Sequence, residues 1–254
     1  MASRGAQRVV VVTGANRGIG YHLTAALLAD GYRVAAIDID GDNLRDLGEP
    51  QRDQFLSVET DVADTDDVET GISRVLDQWG HIDILVNNAA EATFAPFEEQ
   101  SLADIRRQLE VNVLGYVRMI HAVLPRMREQ GGGIIHNVGS ATGSVGHPGL
   151  SGYAASKGAI KGVTASLRLE LRDTDIACTL MVPPTTDTRM SAPLGYPAML
   201  TADPEQVATR LASKIESTDP VITPDRTTSI GLYLINRFPS LWARLTDRYV
   251  EVEA

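Results

Sequence analysis

Short apolar runs rich in β-branched residues alternate along this chain with longer stretches whose apolar positions return at helical spacing. A strand buried on both faces is apolar throughout, whereas a helix lying over it needs only one apolar stripe. The alternation therefore predicts a parallel sheet covered on both sides. Runs near Arg8–Thr13, Arg33–Asp38, Gln54–Thr60, Ile82–Val86, Gly133–Val138, Ile176–Val182 and Val221–Thr223 predict seven strands. Helices are expected near Gly18–Asp30, Asp64–Trp79, Leu102–Glu129 and Gly152–Arg172, six or more in all. The fold class is α/β, a doubly wound parallel sheet with helices on both faces. The 254 residues contain no internal repeat and no Pro/Gly-rich linker, so a single domain over 1–254 is expected.

Two segments break the alternation. Pro183 to Leu200 holds four prolines and no clear period. A loop of this length after the sixth strand lies where open α/β sheets bind ligands, so a substrate lid is expected over about 183–202. Met190, Leu194, Tyr196 and Met199 either wall an apolar pocket or only pack that lid down. The second segment is a tail over about 226–250, with Ile230, Leu234, Ile235, Phe238, Leu241, Trp242, Leu245 and Tyr249 at roughly helical spacing around Pro239. Its apolar face and arginines suit packing on its own domain, a subunit interface, or a membrane surface.

The first strand ends in Thr13-Gly14-Ala15-Asn16-Arg17-Gly18-Ile19-Gly20, and a helical period follows. Such a turn brings bare backbone and a helix N-terminus up to a dinucleotide diphosphate. Asp38 closes the second strand, eighteen residues after Gly20, where a carboxylate can accept from both hydroxyls of the adenosine ribose. It would repel a 2′-phosphate, and the next residue, Ile39, offers that phosphate no cation, so NAD(H) is expected over NADP(H). Arg17 is the residue that argues the other way. Asp61-Val62 and Asn87-Asn88-Ala89-Ala90 end the third and fourth strands and should border the cofactor.

Composition narrows the partners. With 23 basic and 33 acidic side chains the formal charge is −10, and no basic patch is evident, so nucleic-acid binding is not expected. Cys178 is alone in an apolar run and reads as a packing residue. The N-terminus has no signal-peptide core and no run could span a bilayer, so a cytoplasmic location is expected. The five histidines lack ligand spacing, so no metal site is predicted; His147 either lines the pocket or is an ordinary loop residue.

Proton chemistry is suggested by Tyr153 and Lys157, which lie one helical turn apart, and by Ser140 just past the fifth strand. A phenol with its usual pKa near ~10 needs a neighbouring cation to act as a base at neutral pH. A hydroxyl can support charge developing on a substrate oxygen. In order, Thr13-Gly14-x-x-x-Gly18-x-Gly20, Asn87-Asn88-Ala89, Asn112, Ser140 and Tyr153-x-x-x-Lys157 resemble the motifs of the short-chain dehydrogenases/reductases, from about Arg8 to Thr188. The resemblance implies a single-domain Rossmann fold and reversible hydride transfer between a nicotinamide and a carbonyl or carbinol carbon. It implies a catalytic set of Asn112, Ser140, Tyr153 and Lys157, with Asn112 holding a water that links Lys157 to solvent. It further implies that Gly14, Asn16, Arg17, Gly18, Ile19, Gly20, Asp38, Ile39, Asp61, Val62, Asn88, Ala89, Tyr153, Lys157, Pro183, Thr186 and Thr188 bind the cofactor.

The chain departs from that pattern near the reacting end. Pro184 stands where the family usually has glycine, Ala90 ends the Asn-Asn-Ala-Gly motif, and Gly139 replaces a common serine. The C-terminal strand and Asp-Gly-Gly ending of many members are missing. An altered substrate pocket is the first expectation: a secondary alcohol or ketone, moderately bulky and apolar, handled by a homodimer or homotetramer. The alternatives are a 3-oxoacyl thioester reductase, with Arg126, Arg128, Arg168 and Arg172 as a docking patch, and a non-catalytic dinucleotide sensor.

Overall fold

A computed structural model describes residues 8–48, 53–240 and 242–243. Seven parallel strands run in the order β3-β2-β1-β4-β5-β6-β7: β1 Val9–Thr13, β2 Arg33–Asp38, β3 Phe55–Glu59, β4 Ile84–Asn87, β5 Gly133–Val138, β6 Ile176–Met181 and β7 Val221–Ile222. Val11 pairs with Ala35 on one side and Leu85 on the other, so β1 is central and buried along its whole length. The order reverses between β1 and β4, which opens a crevice at the carboxyl ends of these strands.

Side chains of β1 alternate between two cores. Val10 and Val12 face α1 (Gly18–Ala29) and α8 (Pro204–Ala212) through Leu23, Leu27, Val207 and Leu211. Val9 and Val11 face α3 (Thr65–Trp79) and α5 (Tyr116–Glu129) through Ile72, Val75, Met119 and Val123. Between them in chain order lie α2 (Arg45–Gly48), α4 (Leu102–Leu109), α6 (Thr142–Val145) and α7 (Ser151–Glu170), and α9 (Arg226–Arg237) follows α8.

The single helix expected over Leu102–Glu129 is three pieces. A π-helical stretch, Glu110–Gly115, separates α4 from α5. The widened turn leaves the apolar period intact, so the sequence carries no mark of it; such stretches are frequent at functional sites. The loop after β6 contains two short 3₁₀ turns, Ala192–Leu194 and Ala198–Leu200, and returns to the domain through a bridge between Thr186 and Ala202. Leu241, Leu245 and Tyr249 lie outside the described residues.

Candidate active site

The crevice widens into a cavity of about 920 Å³ that runs from the glycine-rich turn, past Ser140 and Tyr153, to the loop after β6 and to α9. Its floor is close-packed backbone. Gly14 has φ of +65°, and a Cβ there would fall 2.7 Å from Ala89 Cα; a Cβ on Gly20 would fall 2.1 Å from the Gly14 oxygen. Asn88 locks this approach by donating from Nδ2 to the carbonyls of Thr13 (3.0 Å) and Gly14 (3.1 Å). Gly18, with φ of +55°, meets the lid, since its Cβ would lie 3.3 Å from Thr188 Cγ2.

Helix α1 opens at this turn with no capping side chain and no acidic residue in its first turn. By contrast α3, α4, α8 and α9 are each capped by Asp64, Ser101, Asp203 and Asp225. Orphan N–H groups at an uncapped N-terminus, beside a turn without side chains, fit a dinucleotide diphosphate. Asp38 lines the same cavity, accepting from Asn16 N (2.8 Å) and Asp40 N (3.4 Å); burial raises its pKa against these bonds. Arg17 points to Asp40 at 2.9 Å, and Ile39 is exposed beside them.

Of the residues expected to hold the cofactor, Gly14, Arg17, Gly18, Ile19, Asp38, Ile39, Asp61, Val62, Asn88, Ala89, Tyr153, Lys157, Pro183, Thr186 and Thr188 line the cavity. Gly20 sits beneath the turn it supports. Asn16 lies behind it, its Oδ1 accepting from Asn43 N (2.9 Å) while its buried Nδ2 has no partner. Asn112 is also behind the wall. It donates to Glu91 O (2.8 Å) and Ser156 Oγ (2.9 Å) and accepts from Glu91 N (2.8 Å), which clamps the loop after β4 onto α7.

Ser140 and Tyr153 face the same cavity, and Ser140 Oγ accepts from Thr142 N (3.2 Å). Burial pushes the Tyr153 phenol up to about 12, the nearby Ser140 hydroxyl acting in the other direction. Lys157 is almost fully buried, and desolvation brings it down to about 7. Its Nζ donates to Val138 O (2.8 Å) and to the Tyr116 hydroxyl (3.2 Å), and stands 5.6 Å from the Tyr153 ring centre. Tyr116 was not singled out in the sequence, although it lies four residues after Asn112 on the same helical run.

Arg107 was likewise not singled out, whereas Met190, Leu194, Tyr196 and His147 were named as possible pocket residues. Arg107 on α4 reaches Glu91 (3.1 Å) and Asp61 (3.7 Å) and ties two strand-end loops together at the cavity wall. The roof comes from Met190, Leu194 and Tyr196 of the lid, Leu232 and Ile235 of α9, and Trp242 beyond it. Met199 does not join them: it is 85% exposed, because the second 3₁₀ turn faces it outward. His147 does line the cavity, in contact with Tyr196 and Trp242. Gly139 has a structural reason, since a Cβ there would lie 2.9 Å from Leu180 Cδ1. Cys178 is buried in the core, where desolvation raises its thiol to about 12.

Residues 8–197 match the family model for short chain dehydrogenase. The chain belongs to the short-chain dehydrogenases. It is 35% identical over 191 residues to 2-(R)-hydroxypropyl-CoM dehydrogenase of Xanthobacter autotrophicus, covering 72% of this chain and 76% of that one. It is 37% identical over 166 residues to D-threitol dehydrogenase of Mycolicibacterium smegmatis, covering 64% of each. Among solved structures, a short-chain dehydrogenase from Streptomyces avermitilis superposes with a TM-score of 0.80 at 27% identity, covering 94% of this chain and 95% of the other. A 3-ketoacyl-(acyl-carrier-protein) reductase from Brucella melitensis, complexed with NADH, gives 0.77 at 26% identity over 85% and 94%. As a short-chain dehydrogenase the chain is an oxidoreductase of alcohols and ketones that uses a nicotinamide dinucleotide. Among the described residues no helix is long and apolar enough to cross a membrane, and no cluster of potential ligands could hold a metal.

Proposed function

We propose that this short-chain dehydrogenase interconverts a moderately bulky, largely apolar secondary alcohol and its ketone with NAD(H). The observation that carries the reading is one continuous cavity holding the glycine turn and Asp38 at one end and Ser140, Tyr153 and Lys157 beneath an apolar roof at the other. The bound dinucleotide supplies the hydride acceptor or donor; the chain supplies binding, orientation and proton transfer.

Tyr153 handles the proton. With its pKa near 12 the phenol is protonated at neutral pH, the form that donates to a carbonyl oxygen during reduction. Ser140, facing the same cavity, is available to hydrogen-bond that oxygen and support its charge. Lys157, held by Val138 and Tyr116, stands beside the phenol ring, and its protonated form favours the phenolate needed for alcohol oxidation. Asn112 acts by fixing Glu91 and Ser156 around this centre.

The preference for NAD(H) is supported by three neighbours. Asp38 presents a carboxylate to the ribose, Ile39 adds no cation, and the guanidinium of Arg17 is held by Asp40. For the thioester reading, Arg128 is exposed, Arg126 pairs with Glu129, Arg172 with Asp173, and Arg168 donates to Cys178 O and Thr218 O, so local partners engage three of the four arginines of its docking patch and the apolar-ketone reading is preferred. Exposed Phe97, Leu102 and Leu169 support a homo-oligomer. Fluorescence titration with NADH and NADPH, followed by turnover of ketones and secondary alcohols of increasing bulk, tests the function. The expected result is tighter NADH binding and NADH-linked turnover; tighter NADPH binding, or NADH binding with no turnover across the panel, would contradict it.

A further inference from the structure

His147 lies in the loop between α6 and α7, Tyr196 in the lid and Trp242 beyond α9, and all three meet at the roof of the cavity. The direction of their hydrogen bonds can be assigned. His147 Nδ1 is 2.6 Å from Pro148 O, which can only accept, so Nδ1 carries the hydrogen. Burial holds the His147 pKa below its ordinary value, so the ring is neutral at neutral pH and Nε2 is an acceptor. Nε2 lies 2.9 Å from the Tyr196 hydroxyl, which must therefore donate to it. Trp242 fixes the other side, its indole N–H donating to Gly146 O (2.9 Å) and its ring standing 6.2 Å from the His147 ring.

With its proton committed to His147, the Tyr196 oxygen can offer the cavity only lone pairs. From the same lid and helix, Met190, Leu194, Leu232 and Ile235 line the cavity as apolar side chains, Ser191 Oγ and Thr228 Oγ1 are committed to Thr186 O and Asp225 Oδ1, and Arg189 is a donor with no lone pair to offer. We infer that Tyr196 is a specificity residue whose phenol oxygen accepts a hydrogen bond from a hydroxyl on the substrate, remote from the reacting carbon, and that His147 sets this polarity. The preferred substrate is then a hydroxylated ketone or a diol on an apolar frame. This rests on the proposed function and deepens it.

Three matched series test it with NADH: ω-hydroxy-2-alkanones, ω-methoxy-2-alkanones and the parent 2-alkanones of equal chain length. At the length that spans the cavity, the hydroxy compound should exceed its parent in kcat/KM by about 10-fold, the effect of one hydrogen bond in a desolvated site, while the methoxy compound gains nothing. Tyr196→Phe should bring the hydroxy-to-parent ratio close to one. His147→Phe frees the Tyr196 proton, so the methoxy compound should rise to match the hydroxy compound. Thermal denaturation and NADH affinity confirm that both variants are folded. Turnover without hydroxyl preference at any length, a preference retained in Tyr196→Phe, or an equal loss for all three series in both variants would overturn the inference alone. No turnover of any ketone by the wild type would overturn the proposed function and this inference with it.

Discussion

The floor and the roof of the cavity are built on opposite principles. On the floor, Gly14, Gly20, Asn88 and Ala89 are fixed by contacts that leave no room for a methyl group, and the strands beneath are fully buried. The roof is made of short turns closed locally, such as Ser191 Oγ donating to Thr186 O (2.6 Å), and of α9, which has no fully buried residue. A dinucleotide is one ligand with fixed dimensions, so its site can be rigid. A substrate pocket assembled from lid and tail can change side chains without disturbing the sheet. Pro184 and Ala90, the departures from the family pattern, lie in the cavity wall where these regions meet.

The contrast can be broken first at its glycines. Gly20→Ala puts a methyl group onto the Gly14 oxygen and should destabilise the protein by about 3 kcal/mol or more, with loss of NADH binding. Gly195→Ala in the roof has φ of +64° but open space around it, so only backbone strain of about 1 kcal/mol is expected. Urea denaturation of both variants measures the difference.

Acid should reach the protein through its core. His136 is fully buried between the Thr179 hydroxyl (2.6 Å) and Ile215 O (2.8 Å), and desolvation lowers its pKa to about 4. The unfolded chain, with an ordinary histidine near ~6.5, binds that proton more readily than the native state. This contribution is therefore complete above pH ~6.5 and lost as pH falls toward ~4, by up to about 3 kcal/mol. His136→Gln should flatten the dependence in denaturation at neutral and mildly acidic pH; an unchanged slope would assign the acid sensitivity elsewhere.

Cofactor choice gives a smaller effect. Asp38→Ser should weaken NADH binding by about 10-fold through loss of charged hydrogen bonds. Asp40→Ala releases Arg17 and should improve NADPH binding by a few-fold, seen in paired titrations. Smallest of all should be the two sides of α9: Ile235→Ala, inside the cavity, should raise KM for a bulky ketone, while Ile230→Ser, 60% exposed, should change stability by no more than ~0.5 kcal/mol.

The same contrast explains what the sequence reveals. The floor is legible because its signals are local: a glycine turn between strand and helix, a carboxylate at the next strand end, a phenol and an ammonium one turn apart. The roof and its supports depend on distant segments. Nothing near His147 announces Tyr196 or Trp242, and nothing near Lys157 announces Tyr116. Met199 and Met190 look alike in the chain, yet a single 3₁₀ turn sends one outward while the other lines the cavity. The π-helical stretch at Glu110–Gly115 is hidden because a widened turn changes no residue type.

The central claim is that Tyr153 moves the proton while the dinucleotide is held chiefly by the glycine turn, Asp38 and the neighbouring strand ends. Kinetics of Tyr153→Phe on a ketone turned over by the wild type, with NADH affinity measured on the same preparation, test it most directly. The account predicts that kcat falls by ~10²–10⁴-fold with NADH affinity unchanged. Turnover retained within a few-fold, or lost together with NADH binding, would contradict it.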